Sequence, residues 1–148
     1  MSTQTDLTVR KSVVVGCPPD EAFRLFTEGM ATWWPFDTHS PEGKPPESVV
    51  FEPRVGGRVY DQRPGGEDRA WATVTAWEPP RRLALDWHVT PGRPSTELEV
   101  RFSADGDRTR VDLTHSGWER YGESARETFE SYDTGWDTVL RPYIERAS

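Results

Sequence analysis

The sequence predicts an α+β domain in which one long C-terminal helix lies against a curved antiparallel sheet. Three observations lead there. Over residues 124–147, Ala125, Phe129, Tyr132, Trp136, Leu140, Tyr143 and Ala147 recur at spacings of three and four, the apolar stripe of an amphipathic helix. Upstream, Leu83, Leu85 and Trp87 alternate with Ala84, Asp86 and His88, and Leu98, Val100 and Phe102 alternate with Glu97, Glu99 and Arg101. That period of two belongs to half-buried strands. The strands also follow one another through short turns, of which Asp105-Gly106-Asp107 is a strong hairpin signal, so an antiparallel meander is the economical topology. Such a sheet has one face to cover, and only the terminal segment is long enough to cover it.

Taken in order, residues 1–6 are expected to be disordered. Leu7, Val9, Val13, Val14 and Val15 mark a first strand within residues 6–15. Pro18, Pro19, Asp20 and Glu21 open a helix, because proline is tolerated in the first turn and carboxylates favour its positive end. Ala22, Phe23, Leu25 and Phe26 supply its apolar side. Gly29 interrupts it, and residues 30–34 make a second short helix stopped by Pro35. Residues 35–46 carry four prolines and a glycine and read as an unusually long loop, a feature that in compact domains is functional or disordered.

Residues 49–51 begin the next strand, Gly56-Gly57 permits a tight turn or bulge, residues 58–62 return, and residues 63–69 form a hairpin tip. Trp71, Val74 and Trp77 mark a strand closed by Glu78-Pro79-Pro80. After the alternating pair comes Thr109, Val111, Leu113 and His115, with residues 90–94 as an intervening turn. Ser124 followed by Glu127 has capping-box spacing at the start of the last helix. Pro142 falls inside the helical pattern and is expected to bend its last turn or start a new one.

A chain of 148 residues is the usual size of one domain, and residues 1–148 are read as one. Seven Trp, six Phe and four Tyr imply a core built largely from rings. A net charge of −7 repels a phosphate backbone or an anionic membrane, which argues against nucleic acid and membrane insertion. The lone Cys17 excludes an internal disulfide, and three scattered histidines offer no zinc spacing, so neither metal nor cofactor is expected. The first thirty residues lack the pattern of a signal peptide, and the longest aliphatic run is residues 13–15, so a soluble cytoplasmic protein is expected.

Several short stretches match a known family in order: Pro18-Pro19-Asp20-Glu21-Ala22-Phe23, Trp33-Trp34, Val55-Gly56-Gly57-Arg58-Val59-Tyr60, and Trp77-Glu78-Pro79-Pro80-Arg81-Arg82-Leu83 through Trp87. Gly106-Asp107-Arg108-Thr109-Arg110-Val111 through Thr114-His115-Ser116-Gly117-Trp118, and Gly135-Trp136 with Leu140, complete the set. On these the sequence resembles small bacterial members of the family named for the activator of Hsp90 ATPase. That family lies within the START-like, Bet v 1-like helix-grip superfamily (SRPBCC), which also holds polyketide cyclases and lipid-transfer domains. The resemblance spans about residue 8 to residue 145. It implies a sheet of about six to seven strands wrapped around the C-terminal helix, two short helices after the first strand, and a helix-sheet cavity for apolar or aromatic molecules. It implies no reaction, because the scaffold hosts differing chemistries. Pro142 and the loop at residues 36–47 depart from the family pattern.

The aromatic residues Trp33, Trp34, Phe36, Tyr60, Trp71, Trp87, Trp118, Tyr132 and Trp136 are candidates for pocket wall, with ordinary core as the competing reading for each. Trp34, Phe36, Tyr60, Trp71, Trp87, Trp118, Tyr132 and Trp136 are taken as the ligand-binding set. Trp34, which precedes the long loop, and Trp136, on the inner side of the helix, lead it. His115 and His88 lie near strand ends where an acid or base can act, although His115 also belongs to the family's Thr-His-x-Gly-Trp/Phe signature, so a packing role already explains it. His39 lies in the loop. Asp86 alternates outward, Arg126 and Arg141 belong to the helix surface, and Cys17 has no neighbour to activate it.

Three functions follow. The first is non-catalytic binding of a small hydrophobic or aromatic molecule by a monomer or homodimer. The second is a cyclase, dehydratase or hydrolase acting on a polyketide-like or aromatic substrate. The third is a co-chaperone or stress-response interaction module.

Overall fold

A computed structural model describes residues 7–34, 48–62, 68–88 and 92–147 of the chain. Seven strands form one open, curved antiparallel sheet: β1 (Val9–Val15), β2 (Ser48–Phe51), β3 (Arg58–Gln62), β4 (Asp68–Glu78), β5 (Arg82–Trp87), β6 (Thr96–Asp105) and β7 (Arg108–Ser116). Their order across the sheet is β1-β7-β6-β5-β4-β3-β2, so β2 to β7 are a plain meander and β1 closes onto the far side of β7. Helix α1 (Pro19–Phe26) and a 3₁₀ turn (Met30–Thr32) follow β1, and a second 3₁₀ segment (Trp118–Ser124) leads into helix α2 (Ala125–Arg146). The expected loop at residues 35–46, most of the expected hairpin tip at residues 63–69 and part of the turn at residues 90–94 lie outside the described residues.

The inner face of the sheet follows the alternation in the sequence. Leu83 pairs with Val100, Leu85 with Leu98, and Val100 in turn with Leu113, so aliphatic side chains from three strands line up across the same face, and all are buried. Burying a Leu or Val side chain contributes roughly 1.5–3 kcal/mol, which makes these rows the main fastening of the central sheet. A one-residue slip would turn every one of them to solvent.

Helix α2 lays its stripe on that face. Ala125, Trp136, Val139, Leu140 and Tyr143 are buried, and Phe129 and Tyr132 pack against the core at its N-terminal half. Two links set the position of the helix. The Tyr143 hydroxyl donates to the Ala22 carbonyl of α1 at 2.9 Å, and Lys11 of β1 reaches Asp133 and Asp137, one helical turn apart, at 3.2 and 3.1 Å. The helix runs unbroken through Pro142.

One expectation fails at the helix start. Ser124 and Glu127 form no capping box. Ser124 has φ −93° and ψ 8° instead of the extended backbone a cap requires, and its hydroxyl donates to the Tyr121 carbonyl while accepting from Arg93.

Candidate ligand-binding site

Strand β4 departs from regular pairing at Trp71. Val59 pairs with Ala72 and Tyr60 with Ala70, which leaves Trp71 as the extra residue of a bulge. The bulge lets Trp71 and Ala72 both be buried although they are neighbours in a strand. Trp87, at the end of β5, lies opposite Ala72 on one side and Thr96 on the other. The sheet thereby presents two indoles side by side, with ring centroids 6.2 Å apart.

Trp34 and Trp136 meet them from the other layer. The Trp34 ring, just past the first 3₁₀ turn, is 4.8 Å from Trp71, 6.4 Å from Trp87 and 6.1 Å edge-on from Trp136 of α2. Trp87 and Trp136 are 6.0 Å apart. These separations fall in the range of favourable offset and edge-to-face packing, worth about 0.5–1.5 kcal/mol per pair beyond burial. The 3₁₀ turn carries Trp33 into a different group. Trp33 packs on Phe26 and Tyr143 and donates its N–H to the Leu25 carbonyl at 2.7 Å.

His115 organises the neighbouring end. It pairs with Leu98 across β6, so Thr96, two residues along, is its diagonal neighbour on the same face. Thr96 Oγ1 lies 2.7 Å from Nε2, and Trp136 Nε1 donates to Nδ1 at 3.1 Å. Gly117 then turns the chain with φ +98°, a conformation that favours glycine, and Trp118 folds back to donate to the His115 carbonyl at 2.9 Å. The Trp118 ring lies 4.5 Å from the imidazole and 4.7 Å from Tyr132. The Thr-His-x-Gly-Trp stretch is thus a buried polar hub. Burial pushes the His115 pKa down to about 3, and with both nitrogens engaged inside the core the ring is a structural group and not a poised acid or base. His88 lies on the outer side, with Nε2 3.0 Å from Thr73 Oγ1.

Six of the eight expected site residues are therefore brought together: Trp34, Trp71, Trp87, Trp118, Tyr132 and Trp136. Tyr60 stands apart. It alternates with the buried Val59 and Asp61, and its ring lies under the Arg58 guanidinium at 4.5 Å on the other face. Phe36 and His39 lie outside the described residues. One group went unflagged in the sequence. Asp61 is fully buried on the inner face and accepts from Trp71 Nε1 at 2.8 Å. The alternation Val59, Tyr60, Asp61 within β3 was its only local signal.

Recesses lie elsewhere on the described surface. One of about 630 Å³ runs between α1 and the end of α2, beside Cys17, Glu21, Arg24 and Arg146. Another of about 570 Å³ lies on the outer face of the sheet, and one of about 360 Å³ between β1 and α2. None of these three is lined by the indole set. Cys17 is half-buried, and burial together with Glu21 and Asp20 raises its thiol pKa, which leaves it a poor nucleophile. Among the described residues no group of His, Cys, Asp or Glu is arranged to hold a metal, and no helix is long and apolar enough to cross a membrane.

Residues 16–143 match the family described as Activator of Hsp90 ATPase homolog 1-like protein. Among solved structures, an anthrahydroquino-γ-pyrone synthase, Txn09, solved in complex with a molecule designated SUM, is 33% identical. The match covers 93% of this chain and 95% of that one, with a TM-score of 0.64. CalC from Micromonospora echinospora, described as a self-sacrificing resistance protein, is 29% identical over 95% of this chain and 93% of its own, with a TM-score of 0.71. The Aha1 dimer from Colwellia psychrerythraea shares the fold at 16% identity, covering 95% of each chain with a TM-score of 0.69. No curated protein sequence matches the chain significantly.

Proposed function

The chain belongs to the Activator of Hsp90 ATPase homolog 1-like family, and from that premise we propose that it binds a small, flat aromatic molecule between α2 and the sheet. The guest stacks on Trp71 and Trp87 and is edged by Trp136. One observation carries this reading: Trp34, a single side chain next to a 3₁₀ turn, occupies a seat walled by three indoles drawn from both layers. A guest of similar shape and polarity takes that seat when Trp34 swings aside. The 33% identity to a protein named as an anthrahydroquino-γ-pyrone synthase supports a fused, oxygenated ring system as the guest. Titration of the intrinsic tryptophan fluorescence with fused-ring aromatics tests it. Saturable quenching is expected, and a panel in which no compound saturates defeats the proposal.

A second reading, an enzyme acting on such a ring system, is favoured by Asp61. Its carboxylate is fully buried and held by the Trp71 N–H beside the indole set, where an acid or base would meet a guest. Replacing Asp61 with Asn separates the two readings, since binding with no turnover to lose leaves only the first. The interaction-module reading draws less support, because the large exposed apolar residues described are Val14 and Val55, far short of a contiguous patch.

A further inference from the structure

We propose that Tyr132 sets the orientation of the bound molecule by donating its phenolic hydrogen to a carbonyl oxygen of the guest, so that the site selects planar aromatics bearing a carbonyl, as quinones and pyrones do. The proposal deepens the binding reading above and rests on it. An indole has one N–H donor and no acceptor. Trp71 donates to Asp61 at 2.8 Å, Trp87 to the Tyr132 hydroxyl at 3.2 Å, Trp118 to the His115 carbonyl at 2.9 Å and Trp136 to His115 Nδ1 at 3.1 Å. Those four rings offer a guest their faces and nothing else. Faces hold any flat apolar molecule and do not distinguish one end of it from the other.

Tyr132 is different. Its oxygen accepts from Trp87, but a phenol also carries a proton, and among the described residues no acceptor takes it. The bond from Trp87 pins the oxygen at the edge of that indole and directs the proton away from the N–H. A molecule stacked on the face of Trp87 has its own edge beside this hydroxyl. Burial raises the pKa of the phenol above its usual value, outweighing the Trp87 hydrogen bond, so the group remains a donor throughout the neutral range. Tyr132 is partly buried, and a donor with reduced access to water gains from an acceptor in the guest.

Anthraquinone and anthracene share a three-ring outline and differ in the carbonyls, which makes them a matched pair of probes. In fluorescence titrations, Tyr132→Phe is expected to weaken anthraquinone by about two- to tenfold, the range of one neutral hydrogen bond, and to leave anthracene unchanged. An equal loss for both ligands, or no loss for anthraquinone, overturns the proposal. A wild type that binds neither ligand overturns the binding reading and this proposal together, whereas binding of both with no dependence on Tyr132 overturns this proposal alone. Infrared spectra of anthraquinone on the wild-type protein avoid any folding defect in the variant. One carbonyl band lowered relative to the other supports the proposal, and two bands at their free positions defeat it.

Discussion

The indole N–H of Trp136, on α2, meets Nδ1 of His115, on β7, at 3.1 Å, and this contact decides where the imidazole keeps its proton. An indole nitrogen only donates, so Nδ1 is the bare acceptor and the proton sits on Nε2, which gives it to Thr96 Oγ1 at 2.7 Å. A second proton is resisted, because burial holds the pKa near 3. In the unfolded chain the same group titrates near about 6.5. Between those values the unfolded state binds a proton that the native state refuses. Stability from this group is therefore full above about pH 6.5 and falls as the solution is acidified, by up to about 1.4 kcal/mol per pH unit. Urea unfolding of the wild type and His115→Gln checks it at about pH 7 and about pH 4.5. The variant is less stable at neutral pH, and the gap narrows in acid. A gap of equal size at both pH values excludes a neutral imidazole in the core.

Trp34 gives a second prediction. Removing a large buried ring costs about 3–5 kcal/mol and leaves a cavity, and a cavity lined by apolar groups stays dry and accepts a small aromatic. Trp34→Ala is therefore expected to unfold at lower temperature and to be restored in part by free indole, because a ligand that binds only the native state raises stability. Indole at the same concentration raises the wild type by less, because there it must first displace Trp34 from the seat. Thermal unfolding with and without indole distinguishes the outcomes, and identical shifts in both proteins rule out Trp34 as the occupant of the seat.

Tyr143 ties the two helices together through its hydroxyl, which donates to the Ala22 carbonyl at 2.9 Å in a fully buried position. Tyr143→Phe keeps the ring contacts with Phe26 and Trp33 and is expected to cost about 1 kcal/mol. Burial also raises the phenol's pKa well above its usual range. The native state therefore retains the proton at alkaline pH while the unfolded chain loses it near about pH 10, and stability falls as pH rises past that point. Unfolding curves at about pH 8 and about pH 10.5 should show the deficit of the variant shrinking in alkali, and a deficit that grows there contradicts the assignment.

Periodicity is a local property, and it carried the reading of the fold: the stripe from Ala125 to Tyr143 and the alternation around Leu85 and Leu98 each need only side-chain polarity to be recognised. The site was less legible because its contacts are long-range. Trp87 and Tyr132, joined by a hydrogen bond, are 45 residues apart, and nothing near either announces the other. Asp61 passes unmarked in the sequence because its partner Trp71 reaches it only through the bulge in β4. Tyr60 shows the reverse, since its chemistry suggested a pocket ring while strand alternation with Val59 places it on the other face. The capping box at Ser124 depends on the backbone angles at which the chain enters, and the 3₁₀ segment before α2 sets those angles.

Two glycines should respond to substitution to different degrees. Gly57 precedes β3 where the chain passes close to itself. A Cβ there would lie 2.6 Å from the Glu52 carbonyl oxygen and 2.9 Å from that of Arg54. Both are backbone atoms, and the Gly57 N–H and carbonyl are also held by hydrogen bonds to Arg54 and Val74, so the segment has no easy way to yield. Gly57→Ala is expected to cost about 1–3 kcal/mol, the scale of forced overpacking. Gly106, between β6 and β7, has φ +64° but open space around it. Its difficulty is the backbone angle alone, and asparagine tolerates that region better than other residues. Gly106→Asn is expected to change stability by less than about 1 kcal/mol, within the range of ordinary surface substitutions or just above it. Thermal unfolding of the two variants side by side decides the matter. If Gly57→Ala matches the wild type, the tight approach between residues 52 and 57 does not exist in solution, and the strand pair that carries Asp61 must be placed differently.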